Sequence, residues 1–169
     1  MHRTTPLDRL PLILAAASAA MLLFAFASQV VFDLIPCKLC IWQRWPHVAV
    51  VIISLVAWGF WASRPQLGQA LTAIAGLILL VGAGIALFHV GVEQQWWQGL
   101  EGCTAPPGEA QSLDALRQQL LATPIARCDE VAWSLFGLSM AAWNGLISLA
   151  LAGLAFQAVR KQVERRRTL

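Results

Sequence analysis

Charged residues divide the chain into four long apolar runs. Leu10 to Phe32 lie between Arg9 and Asp33, and Trp45 to Ser63 between Arg44 and Arg64. Pro65 to Val92 lie between Arg64 and Glu93, and Val131 to Val159 between Glu130 and Arg160. A membrane helix needs about 20 apolar residues to cross roughly 30 Å of hydrocarbon, so every run is long enough to span. The last two exceed that need, which centres their membranous parts on 71–90 and 140–159. The first run follows Arg3 and Arg9 and carries small residues from Ala15 to Ala20, as a signal peptide would. It is longer than the usual apolar region of about 7–15 residues, so it reads as a retained span.

The turn Ser63-Arg64-Pro65 makes the second and third spans an antiparallel hairpin. One membrane domain over 1–169 follows, with spans at about 10–32, 45–63, 71–90 and 140–159 and outward loops at about 33–44 and 91–139. In the long loop, Leu113, Leu116, Leu120 and Leu121 fall at helical spacing after an N-cap Ser112, with Asp114 in the first turn. This segment reads as a short amphipathic helix, lying on the membrane surface or packed on the rest of the loop. The expected class is an all-α membrane protein, a four-transmembrane-helix bundle with a long periplasmic loop.

Composition removes the competing classes. Of 169 residues, 58% are hydrophobic and 12% charged, against roughly 45–50% and 25% in soluble domains. That excludes a soluble globular domain, and it is the opposite of a disordered composition. Abundant Ala and Leu, 12 Gly and no Tyr disfavour a lipid-facing β-barrel.

The net charge of +3 says less than its distribution. Arg3, Arg9, Arg64, Arg160, Lys161, Arg165, Arg166 and Arg167 fall on one side of alternating spans, and Lys38, Arg44, Arg117 and Arg127 on the other. Basic residues near span ends stay cytoplasmic, so both termini face the cytoplasm. The basic tail reads as a topology anchor and anionic-lipid contact; no nucleic-acid partner is expected. Trp42, Trp45, Trp96, Trp97, Trp133 and Trp143 fall near the outer face, where indoles form an interfacial belt.

All four cysteines, Cys37, Cys40, Cys103 and Cys128, fall on the outer side, where a bacterium maintains disulfides. Four cysteines allow three pairings. A zinc site is disfavoured because Cys103 and Cys128 lack the short spacing of a second knuckle, so no metal is expected. A bracing disulfide between Cys103 and Cys128 would contribute roughly 3 kcal/mol by closing a loop of about 25 residues. It would leave Cys37-Lys38-Leu39-Cys40 unexplained, since C-x-x-C is the spacing of dithiols that open and close.

Pro36 suits the first position of a helical turn whose free N–H groups favour a thiolate, and Lys38 and Arg44 add positive charge. In a helix Cys40 and Arg44 share a face. His89, near the outer end of the third span, costs free energy there unless it finds a partner. An imidazole and a guanidinium at that depth could supply donors to the two carbonyls of a quinone.

The string Pro36-Cys37-Lys38-Leu39-Cys40-Ile41-Trp42-Gln43-Arg44, then His89, then the spaced pair Cys103 and Cys128 before a fourth span, resembles the DsbB family over nearly the whole chain. These are bacterial inner-membrane, quinone-dependent thiol oxidases. The established oxidising route of the periplasm runs through DsbA, DsbB and quinone. The resemblance implies that a DsbA-like periplasmic oxidase attacks a Cys103–Cys128 disulfide. Cys128 then passes electrons to Cys37 of a Cys37–Cys40 bond, and the freed Cys40 meets the quinone beside Arg44 and His89. It implies ubiquinone, or menaquinone under anaerobic conditions, and a monomer in the bilayer that its soluble partner docks on transiently. The alternatives are a vitamin K epoxide reductase-like enzyme, in which the loop cysteines precede the C-x-x-C, and a non-catalytic membrane subunit with structural disulfides.

Overall fold

A computed structural model describes residues 9–100, 103 and 126–167. Its long elements are α1 (Leu10–Val31), α2 (Lys38–Trp61), α3 (Pro65–Glu93) and, after a short hairpin, α4 (Met140–Arg167). All four are long and apolar enough to cross a membrane. The amphipathic helix expected over 112–121 lies outside the described residues.

Local sequence sets the helix ends. Pro11 and Pro65 sit in first turns, where a missing N–H costs nothing. Asp33, with φ +50°, turns the chain away after α1. Helix α2 begins at Lys38, ahead of the apolar run that starts at Trp45, and Cys37 rather than Pro36 occupies its cap. Pro36 therefore stands outside the helix, and the side chain presented to the free N–H groups is a sulfur.

Helix α3 is central, packing on both α2 and α4, while α1 packs mainly on α2. Lipid tails are as apolar as leucine, so close packing of small and branched side chains holds such helices together. Leu14, Val50, Ala75, Leu79, Leu151, Ala152 and Ala155 form the mid-bundle core. Leu23, Val30, Ile52, Val81, Leu87 and Leu149 stay exposed on the outside of the bundle, as a lipid-facing surface requires. A second buried cluster, of Cys37, Leu39, Val92, Cys103 and Cys128, closes one end. The basic run Arg165 to Arg167 lies at the far end of α4.

The four-helix class expected from the sequence is the one observed, with one short addition at the cysteine end: Ser134–Leu135 (β1) pairs antiparallel with Leu138–Ser139 (β2). Phe136 and Gly137 make the two-residue turn, both at positive φ, as a tight hairpin needs. Two of the outer-face indoles donate to backbone carbonyls, Trp97 to Phe88 at 2.9 Å and Trp143 to Leu135 at 3.1 Å. Trp97 also lies so close to Gly91 that a β-carbon there would collide with its ring.

Pro46, inside α2, packs its ring on Gly82 of α3, where an added Cβ would lie 3.1 Å from the proline Cβ. Gly84, two residues on, faces open space. Gly82→Val should therefore lower stability by about 1–3 kcal/mol through overpacking, with Gly84→Val within about 0.5 kcal/mol of wild type. Thermal unfolding in detergent reads the contrast.

Candidate functional site

The site is built where the first turn of α2 meets the last turns of α3. Cys37 caps α2 with extended backbone (ψ 169°), and its Sγ accepts the Cys40 N–H at 3.2 Å. The Cys37 and Cys40 sulfurs are 2.9 Å apart as free thiols. His89 Nε2 lies 3.5 Å from the Cys37 Sγ. Hydrogen bonding from Cys40, then from His89 and the helix N–H, outweighs burial and holds the Cys37 thiol down at about 4. The sequence reading looked for a stabilised thiolate around Cys37 and Cys40 and expected Cys40 to be the low-pKa leaving group; the cap geometry corrects this, because it is the Cys37 sulfur that accepts the helix N–H and faces His89.

Cys103 and Cys128 form a disulfide with Cα atoms 5.2 Å apart, and both are fully buried. The Cys128 N–H donates to the Cys103 carbonyl at 2.7 Å. Sulfurs of Cys37 and Cys128 and a ring nitrogen of His89 all lie within 4.8 Å of one another. The two cysteine pairs, 63 or more residues apart in the chain, thus meet at one point. While Cys128 is bound to Cys103 its sulfur carries no thiolate to offer a metal.

Cys40 and Arg44, on one face of α2, open onto a small cavity of about 60 Å³. Met21, Leu22, Phe24 and Ala25 of α1 give it an apolar wall, and His47 and His89 share the polar side. Arg44 donates to Gln29 Oε1 at 2.7 Å and stacks its guanidinium 5.0 Å from the centre of the Phe26 ring, so α1 holds it. All six residues singled out from sequence therefore gather at one end of the bundle.

Sequence reasoning missed the polar residues behind them. Gln43 Nε2 donates to His89 Nδ1 at 2.8 Å, Asn144 Nδ2 to Gln43 Oε1 at 2.5 Å, and His47 Nε2 to Asn144 Oδ1 at 2.8 Å. Glu93 approaches His89 at 3.9 Å. Marking spans by charged residues alone passes over uncharged polar ones. The available signal was a His and an Asn inside apolar runs, which are costly there without a purpose.

Comparison with known proteins agrees with this arrangement. The family model "Disulfide bond formation protein DsbB" matches residues 8–158. The chain is 32% identical to a disulfide bond formation protein B of Aromatoleum aromaticum, over 83% of this chain and 84% of the relative. To that of Hahella chejuensis it is 32% identical, over 86% and 89% of the two. To that of Xylella fastidiosa (strain Temecula1) it is 30% identical, over 84% and 86%. No solved structure gives a significant match.

The cap geometry has a measurable signature. With Cys37 and Cys40 reduced, the Cys37 thiolate absorbance near 240 nm should persist through pH 6 and disappear only as pH falls through about 4. An ordinary thiol is already protonated below about pH 8.5. His89→Leu removes one donor, so the midpoint should move up.

Proposed function

Because this chain belongs to the DsbB family of disulfide bond formation proteins, we propose that it recharges a DsbA-like periplasmic thiol oxidase by relaying electrons through its two cysteine pairs to a membrane quinone. The observation that carries this reading is the meeting of the Cys128 sulfur with Cys37, whose partner Cys40 lines the cavity beside Arg44. The basic residues of the α4 tail lie at the opposite end from the cysteines, which supports an inner-membrane orientation with cytoplasmic termini and periplasmic cysteines.

The relay balances bond by bond. A thiolate of the reduced partner attacks Cys103, forms a mixed disulfide and releases Cys128; the partner's second thiol closes its own disulfide and frees Cys103. Cys128 attacks Cys37 of a Cys37–Cys40 disulfide, releasing Cys40 as thiolate. Cys103 then recloses on Cys128 and leaves Cys37 as thiolate, held by His89 and the α2 cap. That stage matches the observed pairing, a closed Cys103–Cys128 bond and two thiols at Cys37 and Cys40. Reforming the Cys37–Cys40 bond from the two thiolates releases two electrons toward the cavity; the matching two protons, given up to water by the partner's dithiol, are taken up again from water by the acceptor.

A quinone fits the lining there: one apolar wall for the ring and the Arg44 guanidinium as donor to its oxygens, with His89, whose ring nitrogens face Gln43 and Cys37, at the sulfur side of the cavity. Bound there, it supplies a two-electron, two-proton acceptor. The chain's own contribution is orientation and charge. Arg44, held by Gln29 and Phe26, lines the same cavity as Cys40 and sets its guanidinium where negative charge develops. The apolar wall of α1 keeps water out. Ubiquinone, or menaquinone under anaerobic conditions, serves, and one monomer suffices because every participating side chain lies in one chain.

The test mixes the purified protein with a reduced DsbA-type oxidase and a short-chain ubiquinone. Wild type should consume quinone, and Cys40→Ser and Cys103→Ser should fall to the uncatalysed rate. Arg44→Leu removes a charged donor worth about 1.5–3 kcal/mol, so the KM for quinone should rise about 10–100-fold. A wild type that consumes no quinone refutes the proposal.

A further inference from the structure

His47 is a titratable group of the cavity wall that the relay above leaves without a task. It follows Cys40 by seven residues and Gln43 by four, so it shares their face of α2, about 10 Å further along the helix than Cys40. Only 3% of its surface is exposed. An imidazole so placed in an apolar span is expensive unless both nitrogens are used.

One nitrogen is accounted for. His47 Nε2 faces Asn144 Oδ1, an oxygen that only accepts, so Nε2 carries the proton. In the neutral ring Nδ1 is then a bare lone pair, and it has no partner among the described residues. Asn144 is itself held. Its amide donates to Gln43, Gln43 donates to His89, and the Ser148 hydroxyl adds a second donor to Asn144 Oδ1 at 3.3 Å.

Each link in that series donates toward Cys37. His89 Nε2–H faces the Cys37 sulfur, Gln43 N–H faces His89, Asn144 N–H faces Gln43, and His47 N–H faces Asn144. A thiolate at Cys37 can only accept. It thereby fixes the direction of every hydrogen bond behind it and leaves an acceptor at the far end.

Resting on the quinone reading above, we propose that His47 Nδ1 accepts a hydrogen bond from the hydroxyl of the reduced ring, making the cavity selective for quinol over quinone while Cys37 is a thiolate. A quinone offers only acceptor oxygens and gains nothing from a bare lone pair, whereas a quinol offers two O–H donors. His47 thus favours the reduced form of the acceptor at the stage when the electrons are due to leave the cysteines. Asn144 and Gln43 are positioning residues that hold its tautomer.

The experiment uses the full-length protein in nanodiscs, with decylubiquinone and decylubiquinol as probes. Binding is read by quenching of tryptophan fluorescence, and the tautomer by nitrogen-15 resonances of labelled histidine. In wild type with Cys37 and Cys40 reduced, the His47 resonances should show a proton on Nε2 and none on Nδ1. The Nδ1 resonance should shift on adding quinol and stay put with quinone. His47→Phe should weaken quinol binding about 3–10-fold, the loss of one hydrogen bond, and quinone binding by less than about 2-fold. Asn144→Leu should give a mixture of tautomers. A wild-type Nδ1 that is protonated, or that ignores quinol, overturns the inference even if His47→Phe fails to fold. Equal loss of quinone and quinol affinity in His47→Phe also overturns it. If wild type binds neither probe, the quinone reading falls as well; if it binds both and only the His47 results fail, that reading stands.

Discussion

A sulfur anion at the mouth of an apolar helix bundle must be surrounded by donors, and the cysteine end of this chain is organised around meeting that need. Cys37 takes the cap of α2, so the helix's own free N–H groups face its sulfur. His89 reaches it from α3, and Gln43 turns His89 so that the proton points at the thiolate. Each of these groups is itself polar and buried, and each therefore needs a further partner. The requirement propagates through Asn144 of α4 back to His47, further along the same face of α2. Three helices are thereby held in one rotational setting by hydrogen bonds that non-directional apolar packing could not specify.

The second disulfide answers a different constraint. Fully buried against Cys37, the Cys103–Cys128 pair is well sited for exchange inside the protein and closed to anything in solution. In the proposed relay a soluble partner must reach Cys103, so the segment has to open and return. Backbone ties at the pair are few, from Cys103 N–H to Leu100 and Cys128 N–H to Cys103. In that relay, contact with Cys37 and access to a partner are successive demands on the same disulfide.

Much of this was readable from residue types alone, for physical reasons. Apolar runs long enough to cross hydrocarbon announce helices, and the gathering of all four cysteines on one side of those runs announces a redox face. The family resemblance followed from Cys37, Cys40, Arg44, His89 and the later pair. What stayed hidden depended on which atoms meet. Pro36 invited a helix start two residues too early, because proline propensity for a first turn does not say which residue caps it. The hairpin at Ser134 to Ser139 lay inside an uncharged run and was too short to show alternation. Spacing puts Gln43 and His47 on one face of α2, but the Asn144 and His89 that join them come from other helices, and no spacing rule reaches across helices.

The choice of amides to join the two histidines bears on how protons travel. A chain of carboxylates or lysines through the same core would carry a desolvation cost of several kcal/mol per ion, whereas a fully satisfied amide chain carries far less. An amide can transmit the direction of a hydrogen bond but does not release a proton under ordinary conditions. The Gln43–Asn144 link therefore communicates the state of Cys37 to His47 without conducting protons between them. In the proposed relay the two protons that accompany the electrons must enter from water at the cysteine end. At that end His89, 3.5 Å from the Cys37 sulfur, also approaches Glu93 at 3.9 Å, both side chains buried. Separating the path of orientation from the path of protons lets the core stay neutral while its far end still registers whether Cys37 is charged.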